Sequence, residues 1–575
     1  MLYPPLSAIA LSICVLGVVQ AAPASAPVKK LPSAEAVVVS QMIVKLRPTE
    51  AGDRVNGMSA ERARRLGDAV GKSLAPLRAM SGDAAVVKLA QPLRVDEAQR
   101  LAWQLARDPA VEWAAPDLPV RRFQTVPPDA NFSTRQWNYL PANTQFASAS
   151  LVVAGATINF SATGGANGPL AWSITRGTPE IRVAVVDSGI TLSHPDLIGS
   201  LLSGYDFVSD DALSGSPYNA PLNFVANDGN GRDPDPTDPG DWVTQDDVNS
   251  YPNVCTSADV GPSTWHGTHM AGLIAAAWTD VNPNPPGTSL AGLAPALRIV
   301  PVRALGKCGG TTSDVLDAIR WAAGIAVPGA PVNPNPARVI NLSLGTAPGA
   351  CNAAYQSAVN DVLARGAVVV AASGNEGAAV VSQPANCQGV IGVTAHAING
   401  DNADYANIGP EVAISAPGGG LPFLAALTPL DANQIAYYIW STSLFGATTP
   451  TSPASVTETR AGPATGGLTG TSPASAQVAA AAALVLSVDP MLSGTQVRAY
   501  LTSTARPHPA GTTCLTSQAL NQCGAGLLDV GAAVNAAFQA RQAPLPSGGG
   551  GGGGGVLPAL ALLLLAAAAV RGPRR

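Results

Sequence analysis

Three side chains that lie far apart in the sequence carry the groups of a nucleophilic acyl-transfer centre. They are Asp187 in RVAVVDSG, His266 in HGTHMAG and Ser472 in GTSPAS. A serine hydroxyl can attack a carbonyl when an imidazole takes its proton and a carboxylate orients that imidazole. Unrelated hydrolase folds place these groups in different orders along the chain, so the order Asp, His, Ser helps to select the fold.

Each of the three residues also has a purely structural interpretation. Asp187 begins the run Asp-Ser-Gly, which is good turn chemistry, and Ser472 could simply cap the alanine-rich helix that follows it. His269 follows His266 at i+3, so a metal pair is the competing interpretation, although HExxH spacing and a third ligand are both missing. A structural role also suits the isolated histidines, His194, His396 and His508.

The predicted elements place these groups at functional positions. Asp187 ends an apolar strand, so its carboxylate emerges at the carboxyl edge of a parallel sheet, where α/β folds collect their ligand sites. Ser472 lies at a helix N-terminus, where free N–H groups and the helix dipole favour developing negative charge. Asn375, in AASGNEG after another apolar strand, carries an amide that could donate to an oxyanion.

The main body, residues 130–540, alternates short apolar strands with helical stretches. Strands of β-branched residues without polar alternation, separated by helices, predict an α/β fold with a parallel sheet covered by helices on both faces. Two irregular insertions, roughly 205–262 and 422–465, are expected as surface loops. The predicted strands are IRVAVVD, LRIVPVRAL, ARVINLSLG, AVVVAASG, GVIGVTA and EVAISAPG.

The pattern of segment 36–122 predicts a separate small α+β module. Its pattern is strand, helix, strand, helix, strand, followed by a polar, proline-bearing stretch typical of an exposed linker. We therefore expect a domain boundary between residues 122 and 130.

The two ends of the chain carry targeting signals. Residues 1–21 combine an apolar run with a small-residue cleavage site and are expected to be a signal peptide, the alternative being an uncleaved anchor. Residues 544–555 form a Gly-rich linker, and residues 556–575 are an apolar segment closed by arginines. Terminal arginines favour the cytoplasmic side, which would leave the main body outside.

Composition limits the partners and the redox compartment. A formal net charge of -5 with 12% charged residues argues against nucleic acid as a partner. Outside the signal segment the chain has six cysteines, an even number that favours disulfides in an exported protein. The sequence has no close pair of cysteines accompanied by a histidine, so it does not suggest a zinc site. We expect sequence neighbours to pair: Cys255 with Cys308, Cys351 with Cys387, and Cys514 with Cys523.

At these motifs the chain resembles the subtilisin-like serine proteases, the subtilase family. VAVVDSG matches the family pattern VAVxDxG, HGTHMAG matches HGTHVAG, and GTSPASAQVAA corresponds to GTSMAAPHVAG. The resemblance implies a triad of Asp187, His266 and Ser472 with Asn375 as oxyanion donor. It also implies that Ser343, Leu344 and Gly345 form an edge strand that pairs with the substrate backbone.

The resemblance extends to both flanks of the main body and has departures near the nucleophile. Residues 36–122 resemble the family's inhibitory propeptide, a ferredoxin-like domain that occupies the cleft and is removed by self-cleavage. The C-terminal tail resembles the GlyGly-type sorting tails that a rhomboid-like protease removes, the alternative being a simple membrane anchor. The departures from the family pattern around the serine are Pro473, Ala476, Gln477 and Ala480.

Calcium is the only metal that the sequence suggests, and no cofactor is expected for catalysis. The segment 227–247 concentrates carboxylates among glycines and prolines but lacks the EF-hand pattern, so a solvated polar loop is the alternative. Subtilases commonly bind calcium for stability. The candidate ligands are Asp196, Asp233, Asp235, Asp238 and Asp241.

Together these features predict a secreted serine endopeptidase that is made as a self-processing zymogen and acts on proteins or peptides. The alternative is a surface-anchored binding or adhesion protein on an inactive subtilase scaffold. A lipase or esterase is disfavoured, because Ala474 replaces the last glycine of the G-x-S-x-G elbow.

Overall fold

A computed structural model describes most of the chain and divides it into two compact units, residues 1–122 and 123–575. The predicted signal peptide, Gly-rich linker and C-terminal segment lie outside the described residues. The structure describes residues 38–47, 58–80, 84–117, 126–127, 129, 132–153, 156–209, 220–278, 290–346, 348–420, 438–450, 452–454 and 467–542.

The first unit is an antiparallel sheet of four strands with two helices. Its elements are β1 (Val38–Leu46), α1 (Ala60–Ala69), β2 (Leu74–Met80), β3 (Ala84–Arg94), α2 (Val95–Leu105) and β4 (Val111–Pro116). The strand order β2-β3-β1-β4 is that of ferredoxin-like domains. Strand β2 was not predicted, because its sequence LAPLRAM contains proline and buries only Leu74 fully.

The second unit contains the remaining elements. Its strands are β5 (Gln145–Val153), β6 (Ala156–Ser161), β7 (Arg182–Asp187), β8 (Tyr205–Asp206), β9 (Arg298–Arg303), β10 (Val339–Leu342), β11 (Val368–Ala372), β12 (Ile391–His396), β13 (Val412–Pro417), β14 (Ile439–Trp440), β15 (Ser443–Phe445), β16 (Ser452–Ala454) and β17 (Gly467–Leu468). Its helices are α3 (Phe132–Arg135), α4 (Gly168–Trp172), α5 (Gln245–Ser250), α6 (His266–Ala275), α7 (Thr312–Ala322), α8 (Ala353–Ala364), α9 (Thr471–Val488), α10 (Gly494–Ser503) and α11 (Val530–Gln542).

A parallel sheet of seven strands forms the centre of this unit, in the order β13-β12-β11-β10-β7-β9-β8. Alternate strand residues face two separate hydrophobic cores. Val183 and Val185 of β7 pack in the core that holds α6, α9, α10 and α11. Ala184 and Val186 pack in the core that holds α7 and α8. The predicted parallel sheet covered on both faces is therefore confirmed, and burial on both faces explains its uninterrupted apolar strands.

The strand boundaries differ from the prediction at two places that matter for the site. The two-residue strand β8 adds an edge that its short sequence does not reveal. The predicted strand ARVINLSLG ends at Leu342, which pairs with Val186 on one side and Ala371 on the other. Ser343, Leu344 and Gly345 follow as an unpaired segment beyond the end of β10.

Helix α9 is the one helix among the described residues that is long and apolar enough to cross a membrane. It is 89% buried inside the unit, with apolar contacts all round, as expected for a core helix. The helix therefore serves to fix the residues at its N-terminus.

The three predicted disulfides are confirmed. Cys255 pairs with Cys308, Cys351 with Cys387 and Cys514 with Cys523. The first of these bonds ties the insertion 205–262 to the segment that follows β9. It therefore holds the insertion close to the carboxyl edge of the sheet.

Candidate active site

Asp187 is the last residue of β7, and its side chain is fully buried. Its carboxylate Oδ1 lies 2.7 Å from His266 Nδ1 and accepts a hydrogen bond of 2.8 Å from the Ser188 backbone N–H. Its backbone carbonyl accepts from the N–H of Ala304 at 2.8 Å, immediately after the neighbouring strand β9. The sheet therefore fixes the carboxylate that faces the imidazole.

His266 is the first residue of α6, and a tight backbone junction sets its position. The preceding residue, Trp265, is fully buried in the left-handed region at φ 52° and donates from Nε1 to the Gly446 carbonyl at 3.2 Å. A Cβ on the next residue, Gly267, would lie 2.1 Å from the Gly189 carbonyl oxygen. Glycine at position 267 thus allows α6 to approach the turn after Asp187 closely.

Electrostatics around His266 favour its protonated form. Burial lowers the pKa of His266, but the charge and hydrogen bond of Asp187, followed by the charges of Asp241 and Asp238, outweigh burial and raise it overall. Because Nδ1 faces the Asp187 carboxylate, the neutral ring carries its proton on Nδ1 and leaves Nε2 as an acceptor. A general base requires this tautomer.

Two further aspartates support the junction between Asp187 and His266. Asp238 is buried and accepts from Ser188 Oγ at 2.8 Å, while Ser188 Oγ accepts from the N–H of Gly267 at 3.1 Å. Asp241 accepts from the backbone N–H and the hydroxyl of Thr264, both at 2.6 Å. Burial and then the charge of Asp241 raise the pKa of Asp238 to about 7.

Ser472 is the second residue of α9 and is half-buried. Its hydroxyl donates to the Ser343 backbone carbonyl at 3.0 Å. No hydrogen bond joins Ser472 Oγ to His266 among the described residues. The helix begins after Gly470, whose φ of 153° is one that residues with a side chain rarely adopt.

Asn375 is exposed just after β11, and its amide is oriented by the residue before the serine. Asn375 Oδ1 accepts from both the backbone N–H and the hydroxyl of Thr471 at 2.9 Å. Because the oxygen is occupied, the side-chain NH₂ is the group left to donate to a ligand.

The segment Ser343 to Gly345 forms one wall of a cleft of about 600 Å³ that also contains Asp187 and His266. Gly345 is exposed and Leu344 is partly so. Among the described residues, no backbone hydrogen bond uses the N–H groups of these three residues. The segment therefore has free donors along its length, although it is not paired in the sheet as the predicted edge strand would be.

Three of the histidines other than His266 have structural surroundings. His269 is buried, and its Nε2 donates to the Ile439 carbonyl at 3.2 Å. His396 bridges Ser415 Oγ and the Gly164 carbonyl, both at 2.8 Å. His194 is buried and accepts from the N–H of Asp196. These contacts leave the metal-pair interpretation of the His motif without support.

The candidate calcium ligands lie in two different environments. Within the described residues, no group of three or more His, Cys, Asp or Glu side chains could hold a metal ion. Asp233 and Asp235 accept hydrogen bonds from their own loop. The N–H of Asp235 donates to Asp233, and the N–H of Thr237 donates to Asp235. Asp196 differs, because its Oδ2 is buried and has no hydrogen-bond partner in the part of the chain that the structure describes.

The structure explains two of the departures around the nucleophile. Pro473 lies in the first turn of α9, where its missing N–H has no intrahelical partner. Gln477 is fully buried, donates to the Pro417 carbonyl at 2.7 Å, and accepts from Asn138 Nδ2 at 2.9 Å. A neutral amide therefore anchors the first turns of α9.

Sequence reasoning missed three hydroxyl groups that position the predicted site residues. They are Ser188, Thr264 and Thr471, whose partners lie between 23 and 96 residues away in the chain. Ser188 and Thr471 are each adjacent to a predicted catalytic residue and Thr264 is two residues from one, which is the only signal in the sequence.

Known proteins match this chain over the unit that holds the site. The model of the Subtilase family matches residues 178–526. An extracellular protease of Xanthomonas campestris pv. campestris is 37% identical over 77% of this chain, and an extracellular basic protease of Dichelobacter nodosus is 35% identical over 64%. The chain spans 62% and 52% of the length of these two relatives.

A solved structure agrees with these sequence matches. The structure described as "Proteases from Pseudoalteromonas arctica PAMC 21717" is 35% identical, with a TM-score of 0.56. The match covers 72% of this chain and 99% of that one. With the parallel sheet, the Asp187 and His266 pair and the family match over more than half of its length, this chain belongs to the subtilase family.

Proposed function

We propose that this chain is an exported serine endopeptidase that hydrolyses peptide bonds in proteins or peptides. The observation that carries the proposal is the contact of 2.7 Å between Asp187 Oδ1 and His266 Nδ1 in a cleft walled by Ser343, Leu344 and Gly345. The names of the extracellular protease relatives support the same activity.

In the proposed reaction, Ser472 Oγ attacks the peptide carbonyl and His266 Nε2 takes its proton. The C–N bond then breaks as His266 returns that proton to the leaving amine, which gives a Ser472 ester. Water, deprotonated by the same nitrogen, hydrolyses the ester and restores the serine hydroxyl. Asp187 holds the imidazole in the required tautomer and stabilises its charged form.

Negative charge develops on the carbonyl oxygen during both attacks. We assign its stabilisation to the Asn375 side-chain NH₂ and the Ser472 backbone N–H at the start of α9. The orientation of Asn375 by Thr471 supports this assignment, because it fixes the amide before substrate binds. The substrate backbone would extend along Ser343, Leu344 and Gly345 and use their unpaired N–H groups.

The decisive experiment combines a fluorophosphonate probe with Ser472→Ala. The parent protein should label at Ser472 and cleave a generic protein substrate, while the alanine variant should do neither. The expected loss in kcat is about 10⁶-fold. Activity that persists in the Ser472→Ala variant would overturn the proposal.

The alternative is a surface-anchored binding or adhesion protein on an inactive subtilase scaffold. The observation that favours it is that Ser472 Oγ donates to Ser343 and makes no hydrogen bond to His266 within the described residues. Hydrogen bonds between nucleophile and base are often formed only when substrate binds, so this geometry does not exclude catalysis. Probe labelling separates the two functions, since an inactive scaffold does not react.

We further propose that residues 36–122 form an inhibitory propeptide that is removed by self-cleavage. The division of the chain after Arg122 and the ferredoxin-like strand order of the first unit support this assignment. Intact-mass analysis should find a mature N-terminus between residues 122 and 130 in the parent and the full module retained in Ser472→Ala. Normal maturation of the alanine variant by itself would contradict self-processing.

We also propose export by residues 1–21 and transient membrane attachment by residues 556–575, followed by release by a rhomboid-like protease. The relatives that are named extracellular support export. Mass spectrometry of the mature protein from the culture medium and from the membrane fraction tests both ends, because membrane-bound protein that retains its tail would indicate a simple membrane anchor.

Calcium is proposed as a stabilising ligand at Asp196. The buried Asp196 Oδ2 has no hydrogen-bond partner among the described residues. Burial, followed by the charge of Asp129, raises the pKa of Asp196 to about 7. Two buried acidic residues that repel each other suit a divalent cation. Bound calcium would offset the repulsion between the charges of Asp196 and Asp129.

A further inference from the structure

We propose that Asp241 and Asp259 make the cleft select peptides with a basic side chain, Arg or Lys, close to the cleaved bond. This inference rests on the proposed peptidase function. It adds a substrate class to that function and assigns two residues to its recognition.

The charge of the cleft wall is the first argument. Three carboxylates line the cleft, those of Asp187, Asp241 and Asp259, and none of the described lining residues is Lys or Arg. Asp187 is committed to His266, as described above. Asp241 and Asp259 both belong to the insertion 205–262 and remain to interact with a ligand.

The two carboxylates are held in place but not neutralised. Asp241 is held by Thr264, two residues before His266, and Asp259 by the N–H and hydroxyl of Thr256 at 2.6 and 2.8 Å. Neither forms a salt bridge within the described residues. Each Asp241 oxygen accepts one of these bonds and keeps a second lone pair, whereas both bonds to Asp259 go to Oδ2 and leave Oδ1 to accept. Both carboxylates can therefore still accept from an ammonium or guanidinium group.

The two basic residues at and just after the end of β9 are already paired. Lys307 Nζ lies 3.3 Å from Asp247, and the buried Arg303 pairs with Asp206 and Asp228. The acidic charge of the cleft is therefore left for a cation from outside the chain.

The cleft also fits the rest of a basic side chain. Val243, Pro262 and Leu305 line the same cleft and offer apolar surface to a methylene stem, while the charged head reaches a carboxylate. The disulfide between Cys255 and Cys308 fixes the segment that carries Asp259, because Cys308 itself lines the cleft. The acidic wall is thus tethered to the fold.

Asp241 acts at the reacting centre as well as along the wall. Its charge contributes to the raised pKa of His266, which indicates that it lies within electrostatic reach of the imidazole. Because Asp241 and His266 line the same cleft, a basic substrate side chain bound there lies within the field of this carboxylate.

The test uses the full secreted chain and a fluorogenic peptide library in which each position near the cleaved bond carries Arg or its neutral isostere citrulline. At one position, the peptide with Arg should have a kcat/KM about fivefold higher than the peptide with citrulline at low salt. This ratio should be smaller at 0.5 M salt. Asp241→Asn and Asp259→Asn should each move this ratio toward one. Asp246→Asn is the matched control, because Asp246 is exposed on α5 and does not line the cleft.

The possible results separate this inference from the proposed function. Hydrolysis of the library with an Arg to citrulline ratio of one at every position overturns the inference and leaves the peptidase function intact. A preference that survives both aspartate substitutions overturns the assignment to Asp241 and Asp259. Absence of hydrolysis together with absence of fluorophosphonate labelling overturns the peptidase function and this inference with it.

Discussion

Ser343 and Ser472 exchange two hydrogen bonds. Ser472 Oγ donates to the Ser343 carbonyl at 3.0 Å, and Ser343 Oγ donates to the Ser472 carbonyl at 3.0 Å. The first bond holds the proposed nucleophile on the segment that would bind the substrate backbone. A substrate N–H that donates to the Ser343 carbonyl would replace this hydrogen bond. The Ser472 hydroxyl would then be free to turn toward His266.

Ser343→Ala should lower kcat about tenfold and leave KM within about twofold. The hydroxyl of Ser343 ties the first turn of α9 to the end of β10 and also contacts Asn341 and Ser475. Its loss should misplace Ser472, because small displacements of a reacting group are costly. The matched control is Ser487→Ala, which removes a hydroxyl bonded to the Ala483 carbonyl farther along α9. Equal kcat in the two variants would contradict the positioning role.

Asn375→Ala should lower kcat by about 10²- to 10³-fold with little change in KM, the loss typical for one oxyanion donor. Thr471→Val should lower kcat less, by about tenfold, because Asn375 Oδ1 keeps its bond to the Thr471 N–H. Steady-state kinetics on one peptide substrate measure both effects. A kcat for Asn375→Ala within threefold of the parent would remove Asn375 from the mechanism.

The sheet could be predicted from the sequence because its strands are buried on both faces. The predicted strand around Val183 to Val186 is apolar throughout, and alternate residues enter the two cores, so local composition alone identifies it. The disulfides could also be predicted, because each joins cysteines that are neighbours in the sequence, 53, 36 and 9 residues apart. Strands β2 and β8 could not, because one contains proline and the other has two residues.

The site could be predicted only in part. Asp187, His266 and Asn375 lie next to strong local patterns, so their positions at the sheet edge followed from the elements. The support from Thr264 to Asp241 could not be predicted, since it depends on a contact between loops 23 residues apart. The bond from Ser472 to Ser343 joins residues 129 apart and depends on how α9 packs against β10.

Asp241→Asn should move the acid limb of the kcat/KM profile to lower pH. The charge of Asp241 raises the pKa of His266, so its removal lowers that pKa and leaves the imidazole neutral in more acidic solution. The amide can still contact Thr264 and keep the loop in place. Profiles between pH 5 and 9 measure the midpoint, with Asp246→Asn as control. A midpoint that stays in place or rises would refute this electrostatic role.

Removal of calcium should lower the melting temperature of the parent, and Asp196→Asn should abolish the difference. Calcium that binds only the folded state stabilises it by mass action, and Asp196 is the proposed ligand. Scanning calorimetry with calcium or with EGTA measures the effect on the background of Ser472→Ala, which prevents self-digestion. Asp233→Asn serves as the control, because that carboxylate accepts hydrogen bonds from its own loop. A calcium response that is equal in the parent and in Asp196→Asn would exclude this site.

Acid should destabilise the second unit through His396. Burial lowers the pKa of His396 to about 3, and the nearby charges of Arg506 and His508 act in the same direction, against the bond to the Gly164 carbonyl. The unfolded chain protonates this histidine near pH 6.5, whereas the folded chain does so only near pH 3. Between these values the unfolded state binds more protons, so stability is fully present above about pH 6.5 and falls as the pH is lowered toward 3.

The expected slope from this one group is on the order of 1 kcal/mol per pH unit. Urea unfolding of Ser472→Ala at pH 7, 6, 5 and 4 should show it, and the additional change His396→Gln should make the decline shallower. The glutamine variant loses the buried ring and is expected to be less stable at pH 7, so the test compares slopes and not absolute stabilities. Parallel declines in the two proteins would show that other groups govern the acid sensitivity, since only a titrating His396 can change the slope.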